Sequence, residues 1–252
     1  MGSYKNKTAF ITGGSSGIGA ATAVEMARQG INVMIIARGL EGLEKTKATI
    51  LENGGSVELM ACDVSHYEDV EKAIKTCVST FGSIDFLINN AGMIDPISLL
   101  AESDPEKWCQ SVDVNYKGVY FTMRAALPHM LQQKKGVIVN VSSGAATNAL
   151  EGWSHYCSSK AAVLSLTKCT DKEYGSQGIT VVGISPGTVA TDMQVSIKAS
   201  GINPVSQLDP SVHLSPMVPA RAITWLCSEE GKKFAGSDFI LKDPDHLKIF
   251  LD

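Results

Sequence analysis

Seven short apolar runs, rich in β-branched residues, recur along the chain at residues 8–12, 32–37, 57–62, 86–89, 137–141, 180–184 and 239–241. Several are apolar without interruption, as expected of strands covered on both faces; a strand with one wet face alternates. Between the runs, residues 18–29, 40–53, 67–81, 106–133, 154–174 and 217–227 carry helical spacing. Four of these segments run into a glycine stop at Gly30, Gly54, Gly82 or Gly175. Strand–helix alternation of this kind predicts an α/β chain built as a doubly wound, parallel, seven-stranded sheet with helices on both faces. No repeat, linker or low-complexity tract divides the sequence, so residues 1–252 read as one domain. Residues 188–216 are the exception to the regular pattern. They carry Gly201, Pro204, Pro210 and Pro216, and so long an irregular stretch after a late strand is expected to be a lid over the strand ends.

The turn after the first run is Thr12-Gly13-Gly14-Ser15-Ser16-Gly17-Ile18-Gly19, and it opens the first helix. A helix N-terminus presents free N–H groups and partial positive charge, which suits a phosphate. Glycines let the backbone turn tightly and approach the ligand. The spacing is G-x-x-x-G-x-G, distinct from the G-x-G-x-x-G dinucleotide fingerprint.

Tyr156 and Lys160 lie four apart on a predicted helix and so share one face. Ser143 ends the preceding strand, thirteen positions before the tyrosine. A free phenol has a pKa of about 10, and a neighbouring ammonium lowers it. Lys160 is expected to act on Tyr156 in this way, leaving Tyr156 as general acid or base. Ser143 would donate to a carbonyl oxygen as charge develops there. His155 is adjacent to Tyr156 and is expected to face solvent, because neighbouring helix positions point in different directions. No G-x-S-x-G elbow supports a hydrolase.

These motifs, in this order, resemble the short-chain dehydrogenase/reductase family, a Rossmann-like fold, over nearly the whole chain. T-G-x-x-x-G-x-G is its glycine motif. Asp63-Val64 follows the third strand, where the family's aspartate contacts adenine. Asn89-Asn90-Ala91-Gly92 matches N-N-A-G, Asn115 matches the family's helix asparagine, and Tyr156-Cys157-Ser158-Ser159-Lys160 matches Y-x-x-x-K. Pro186-Gly187-Thr188-Val189-Ala190-Thr191 matches P-G-x-V-x-T. The resemblance implies catalysis by Asn115, Ser143, Tyr156 and Lys160, with Asn115 holding a water in a proton relay and Lys160 also binding the nicotinamide ribose. It implies a cofactor site made of Gly13, Ser15, Ser16, Gly17, Ile18, Gly19, Arg38, Asp63, Val64, Asn89, Ala91, Gly92, Tyr156, Lys160, Pro186, Gly187, Val189 and Thr191, the last holding the carboxamide.

Ala37 stands at the end of the second strand, where an acidic residue would pair with the ribose hydroxyls of NAD. Arg38 follows and can form charge-assisted bonds to a 2′-phosphate. NADP(H) is therefore the expected cofactor. NAD(H) stays open, because Ser16 stands where many NADP-binding relatives carry a basic residue. Gly152-Trp153, Ser143-Gly144-Ala145 and the ending Ala235-Gly236-Ser237-Asp238-Phe239 resemble the sepiapterin- and benzil-reductase branch. Trp153, Leu150 and Ile94, with Met193, Val195, Ile197, Ile202, Val205, Leu208, Val212 and Leu214 of the lid, are expected to line an apolar pocket. The expected activity is an NADPH-dependent carbonyl reductase or secondary alcohol dehydrogenase acting on a bulky ketone, diketone or secondary alcohol. The alternatives are a catalytically silent NADP-binding regulator and an NAD-dependent alcohol dehydrogenase of the same fold. An extended-branch epimerase or dehydratase would need a larger C-terminal domain.

A formal net charge of −4 gives no support to nucleic-acid binding, and Lys5/Lys7 and Lys45/Lys47 read as solvated surface. No apolar stretch is long enough to span a bilayer. The first strand begins too early to leave room for a signal peptide. Cys62, Cys77, Cys109, Cys157, Cys169 and Cys227 have neither C-x-x-C nor zinc spacing, so no metal is expected and they read as reduced core thiols of a cytoplasmic protein. The long helical segments 106–133 and 154–174 resemble those that pair subunits in the family, implying a homodimer or homotetramer.

Overall fold

A computed structural model describes residues 4–251; of the expected domain, residues 1–3 and 252 lie outside it. The seven strands are β1 (Thr8–Thr12), β2 (Asn32–Ala37), β3 (Val57–Ala61), β4 (Phe86–Asn89), β5 (Gly136–Val141), β6 (Ile179–Ser185) and β7 (Asp238–Ile240). They form one parallel sheet in the order β3-β2-β1-β4-β5-β6-β7. The order reverses between β1 and β4, and in such sheets the crevice beyond the strand ends at that point is where ligands bind.

Burial explains the uninterrupted apolar runs. Every residue of β1, β4, β5 and β6 is buried, whereas the edge strand β3 is largely exposed or half-exposed. Within β1, Ala9 and Ile11 join one core and Phe10 the other. The first core lies under α1 (Gly17–Arg28), α2 (Leu40–Glu52) and α8 (Met217–Leu226). The second lies under α3 (Tyr67–Phe81), α5 (Gly118–Gln133) and α6 (Ser154–Tyr174). The inward face of α1, carrying Gly19, Thr22, Ala23 and Met26, repeats at helical spacing. Truncating a side chain such as Ile138 or Ile184, both wholly buried, to alanine would cost about 3 kcal/mol.

Two expected elements differ. The segment expected as one helix over 106–133 is divided: α4 (Pro105–Val112) begins at an Asp104 cap, a π-helical turn occupies Asp113–Lys117, and α5 follows. The stretch expected to be irregular over 188–216 contains the helix α7 (Asp192–Ser200) and short turns at Pro204–Gln207 and Pro210–Val212. A bridge between Val189 and Leu214 latches its base, with Ala190 N–H to Leu214 O at 2.9 Å and Leu214 N–H to Thr188 O at 3.0 Å.

The basic pairs and the cysteines also depart in part from expectation. Lys7 is half-buried and reaches Asp85 at 2.7 Å, tying the N-terminal segment to β4. Lys45 pairs with Glu41 on the surface of α2. All six cysteines are free, but only Cys62, Cys77 and Cys227 are core; Cys157 is half-buried, and Cys109 and Cys169 are exposed. Cys109 and Cys169 lie on outward helix faces beside Gln110 and Lys168. Among the described residues, no helix is long and apolar enough to cross a membrane, and no cluster of His, Cys, Asp or Glu could hold a metal ion.

Candidate active site

A cleft of about 880 Å³ runs along the C-terminal edge of the sheet from Arg38 at one end to Val205 at the other. That is the upper part of the range for small-ligand sites, and the elongated course suits a long ligand. Gly13, Ser15, Ser16, Gly17 and Ile18 line it at the start of α1. Gly13 has φ +66°, and a Cβ there would lie 2.8 Å from Asn90 Nδ2. At Gly19 a Cβ would strike the Gly13 carbonyl oxygen, so this glycine lets the helix close on the turn without itself lining the cleft. The Ser16 side chain makes no capping bond to α1, which leaves the first-turn N–H groups facing the cleft for an anion. These features fit a dinucleotide.

Across the switch point, Thr12 joins the two halves of the floor. Its Oγ accepts from Asn90 N–H at 3.0 Å and Ala91 N–H at 2.9 Å, while Asn90 Nδ2 donates to Thr12 O at 3.0 Å. Arg38, Asp63, Val64, Ala91, Gly92, Pro186, Gly187, Val189 and Thr191 all line the cleft. Asn89 does not. Its side chain is buried behind the strand, donating to Asn140 Oδ1 at 2.8 Å and accepting from Thr122 Oγ at 2.5 Å. Asn90 takes its place in the cleft, because the side chains alternate faces as the chain leaves β4. Lys242, which follows β7 and packs along Gly187, also enters the cleft. No local signal marks it; the β6–β7 pairing brings it there.

At the far end, Tyr156 and Lys160 project from α6, and both are almost wholly buried. Burial pushes the Tyr156 phenol up to about 12, partly opposed by a hydrogen bond from Ser143. The expectation that Lys160 lowers this phenol is corrected. The ammonium stands 5.5 Å from the ring centroid, donates to Val141 O at 2.7 Å, and is itself driven down to about 8 by burial, against the pull of Asp238. The low-dielectric site disfavours both charges. Asn115 sits in the π turn, wholly buried. Its Oδ1 accepts from Met93 N–H at 2.8 Å, and its Nδ2 donates to Met93 O at 2.8 Å and Ser111 Oγ at 3.0 Å. The side chain therefore braces the loop after β4 rather than opening into the cleft. An extra residue in one helical turn often marks a functional position.

The family model described as short chain dehydrogenase matches residues 7–201. The chain belongs to the short-chain dehydrogenase family. It is 30% identical over 241 residues to a cyclohexanol dehydrogenase of Acinetobacter sp., covering 94% of each chain. It is 36% identical over 197 residues to a 3-oxoacyl-[acyl-carrier-protein] reductase of Synechocystis sp., covering 78% of this chain and 79% of the relative. Its fold matches the crystal structure of a levodione reductase with a TM-score of 0.89 at 27% identity, over 96% of this chain and 98% of that one.

As a short-chain dehydrogenase it is an oxidoreductase with a seven-stranded Rossmann-like fold, and family members use NAD(P)(H). At the Arg38 end of its cleft, burial raises the Asp63 pKa, but Ser65, His66 and Arg38 together hold the carboxyl below its ordinary value. At the other end lies an apolar cluster of Ile94, Ala145, Trp153, Tyr156 and Ile197, with Leu150, Met193 and Val205 packed against it. Trp153 stands edge-on to Tyr156 at 5.7 Å. Of the expected pocket residues, Val195 is 70% exposed and Val212 55% exposed, Ile202 packs against Gly152, and Leu214 joins the main core. Coiling of residues 192–200 into α7 turns Val195 outward. His155 is the clearest correction: it is 1% exposed, with Nε2 2.6 Å from Ile94 O. A carbonyl can only accept, so Nε2 carries the proton. The loop after β4 covers the side of α6 that helical geometry alone would leave to solvent, and that burial lowers the His155 pKa.

Proposed function

We propose that this short-chain dehydrogenase is an NADPH-dependent carbonyl reductase, running in reverse as a secondary alcohol dehydrogenase, with Tyr156 as its acid and base. The observation that carries the reading is the meeting of the Tyr156 phenol, Ser143 and Lys160 at the floor of the cleft, beneath the apolar wall of Trp153, Ile94 and Ile197. The nicotinamide, when bound, supplies hydride to the carbonyl carbon or takes it back. Tyr156, with its pKa raised to about 12, keeps its proton at neutral pH and is suited to donate it to the carbonyl oxygen. Ser143 orients that oxygen and donates to it as charge develops. Lys160 would hold the ribose hydroxyls of the bound nucleotide, its ammonium standing beside the Tyr156 ring. Asn115 positions the loop at Met93 and the relay to Lys160.

Arg38 carries the cofactor preference. It is exposed at the cleft mouth, and Ala37 beside it brings no carboxylate of its own to repel a 2′-phosphate. Gly13 to Gly17 take the pyrophosphate, Asp63 and Val64 the adenine, and Thr191 the carboxamide. Relatives named for cyclohexanol and levodione support an alcohol or ketone substrate. The three buried and three accessible thiols, all free, fit work in the reducing cytoplasm. We further expect a symmetric dimer or tetramer through α4, α5 and α6; light scattering that returns the monomer mass of 26.8 kDa at micromolar concentration would refute it.

The test is a screen of ketones, vicinal diketones, quinones and acyl thioesters, with NADPH oxidation followed by its near-ultraviolet absorbance. Turnover of at least one class with NADPH preferred in kcat/KM is expected. Tight NADPH binding without turnover of any class would favour a silent regulator, and preference for NADH would overturn the cofactor assignment.

A further inference from the structure

Asn89, Asn140, Gly183 and Asp238 occupy one row across four adjacent strands, each in register with the next. Residues in register project to the same face of a parallel sheet. That face is covered by α6, for Asn140 Nδ2 donates to Thr167 Oγ of that helix at 2.9 Å. Gly183 contributes no side chain, and the Asp238 carboxylate leans into the space: a Cβ on Gly183 would lie 2.8 Å from its Oδ1. Ser185 Oγ donates to Asp238 Oδ2 at 2.7 Å. Ser142 and Ser185 stand two residues beyond Asn140 and Gly183 and so face the same way. From α6 come Ser159 and Lys160, which are 2% and 4% exposed, and the Lys160 ammonium is fixed over this face by its 2.7 Å bond to Val141 O, one residue beyond the Asn140–Gly183–Asp238 row. The Oγ atoms of Ser142 and Ser159 and the Oδ1 of Asp238 are all buried without a well-formed hydrogen bond.

We propose that Asp238 is a positioning residue for Lys160: a half-buried carboxylate with its Oδ1 turned inside, entering from the last strand beneath a layer of serine hydroxyls, that keeps the lysine in its ammonium form. The inference rests on the reading of Lys160 as a catalytic group. An isolated buried ammonium is costly, and the usual escape is to lose the proton. Burial drives Lys160 down to about 8, and Asp238 opposes that fall. Burial also raises Asp238, while Ser185, Ser142, Lys160 and Lys168 act to keep it ionised. The Ser142 hydroxyl thus faces the carboxylate without closing an ideal bond.

The charged and titratable groups around the pair are few. Lys168 faces Asp238 from α6, and the Tyr156 ring lies beside Lys160. Asp171 of α6 is occupied elsewhere, accepting from Val181 N–H at 3.2 Å and lying against Gly236. Aspartate is a poor strand former, and one with an unpartnered buried oxygen is costly. A role in holding a neighbouring charge accounts for its place. Its consequence is a wider pH range over which Lys160 serves as a cation.

The test replaces Asp238 with Asn, which keeps its size and an acceptor for Ser185 but removes the charge. Lysine titration is read by NMR of Cε-labelled, cofactor-free protein, with Lys160→Met identifying the resonance. The Lys160 midpoint in Asp238→Asn should fall by roughly one unit, a tenfold shift in deprotonation. The alkaline limb of NADPH-dependent reduction should move down with it, since reduction is lost as Lys160 loses its proton. Asp238→Thr, with a β-branched residue suited to a strand, is read in the same way should the Asn variant fail to fold. A folded variant whose Lys160 midpoint stays at the wild-type value overturns the proposal. The titration needs no substrate. A shifted midpoint in a protein without reductase activity would therefore sink the functional reading and leave the Asp238–Lys160 coupling intact.

Discussion

Replacing Lys160 with methionine should stabilise the cofactor-free protein while removing its activity. Folding carries an ammonium with an ordinary pKa of 10.5 into a site where burial holds it at about 8. At neutral pH that difference opposes folding by roughly 3 kcal/mol. Methionine fills the volume of the lysine stem without a charge and gives up the bond to Val141 O, worth about 1 kcal/mol. The net gain of about 2 kcal/mol should raise Tm by about 4–8 °C for a chain of this size. The sign can be checked against pH. The folded-state pKa is depressed, so the unfolded chain holds more protons between about 8 and 10.5, and wild-type stability gains across that window. The advantage of Lys160→Met should therefore shrink as pH climbs through it. Thermal melts and urea titrations of both proteins, at neutral pH and above 10.5, measure the effect. A variant no more stable than wild type at neutral pH, with no narrowing of the difference in alkali, would show that the buried ammonium carries no such cost.

Tyr156→Phe should lower kcat by about a thousandfold, the scale of a lost general acid, while NADPH affinity measured by fluorescence stays near wild type; retained turnover would remove Tyr156 from the mechanism. Ala37→Asp with Arg38→Leu should weaken NADPH by roughly tenfold or more, the scale of one lost charge-assisted bond, and shift kcat/KM toward NADH; unchanged preference would show that Arg38 does not read the 2′-phosphate. In hydrogen exchange, residues 192–208 should open more readily than β5 and β6 in the cofactor-free protein. NADPH should protect the chain near Thr191, and an unreactive ketone analogue should add protection from Ile197 to Leu208. Full protection before any ligand is added would make this segment a fixed wall.

The sequence alone determined the parallel sheet, the positions of its seven strands and most of the residues at the cleft, because burial on both faces leaves uninterrupted apolar runs and a glycine turn must precede α1. β1, β2 and β4 coincide with their expected bounds, β3 and β5 differ by one residue at one end, and β6 and β7 by one residue at both. Tyr156, Ser143 and Lys160 were legible as a unit because their spacing is local to one strand and the helix that follows. What tertiary structure decided is of two kinds. The first is which side of an element is covered: His155 turns inward because the loop after β4 closes over α6, and Asn89 because α5 covers its face of β4, and helical or strand periodicity cannot register a cover that arrives from distant sequence. The second is electrostatic. Spacing placed an ammonium near a phenol, but only burial reveals that desolvation governs both groups, raising one pKa and lowering the other. Asp238 belongs to both kinds, since pairing between β6 and β7 carries a carboxylate from 78 positions beyond Lys160 to its side. Solvent exclusion acts in three dimensions, and a one-dimensional pattern records it only where the covering elements repeat in step with the chain.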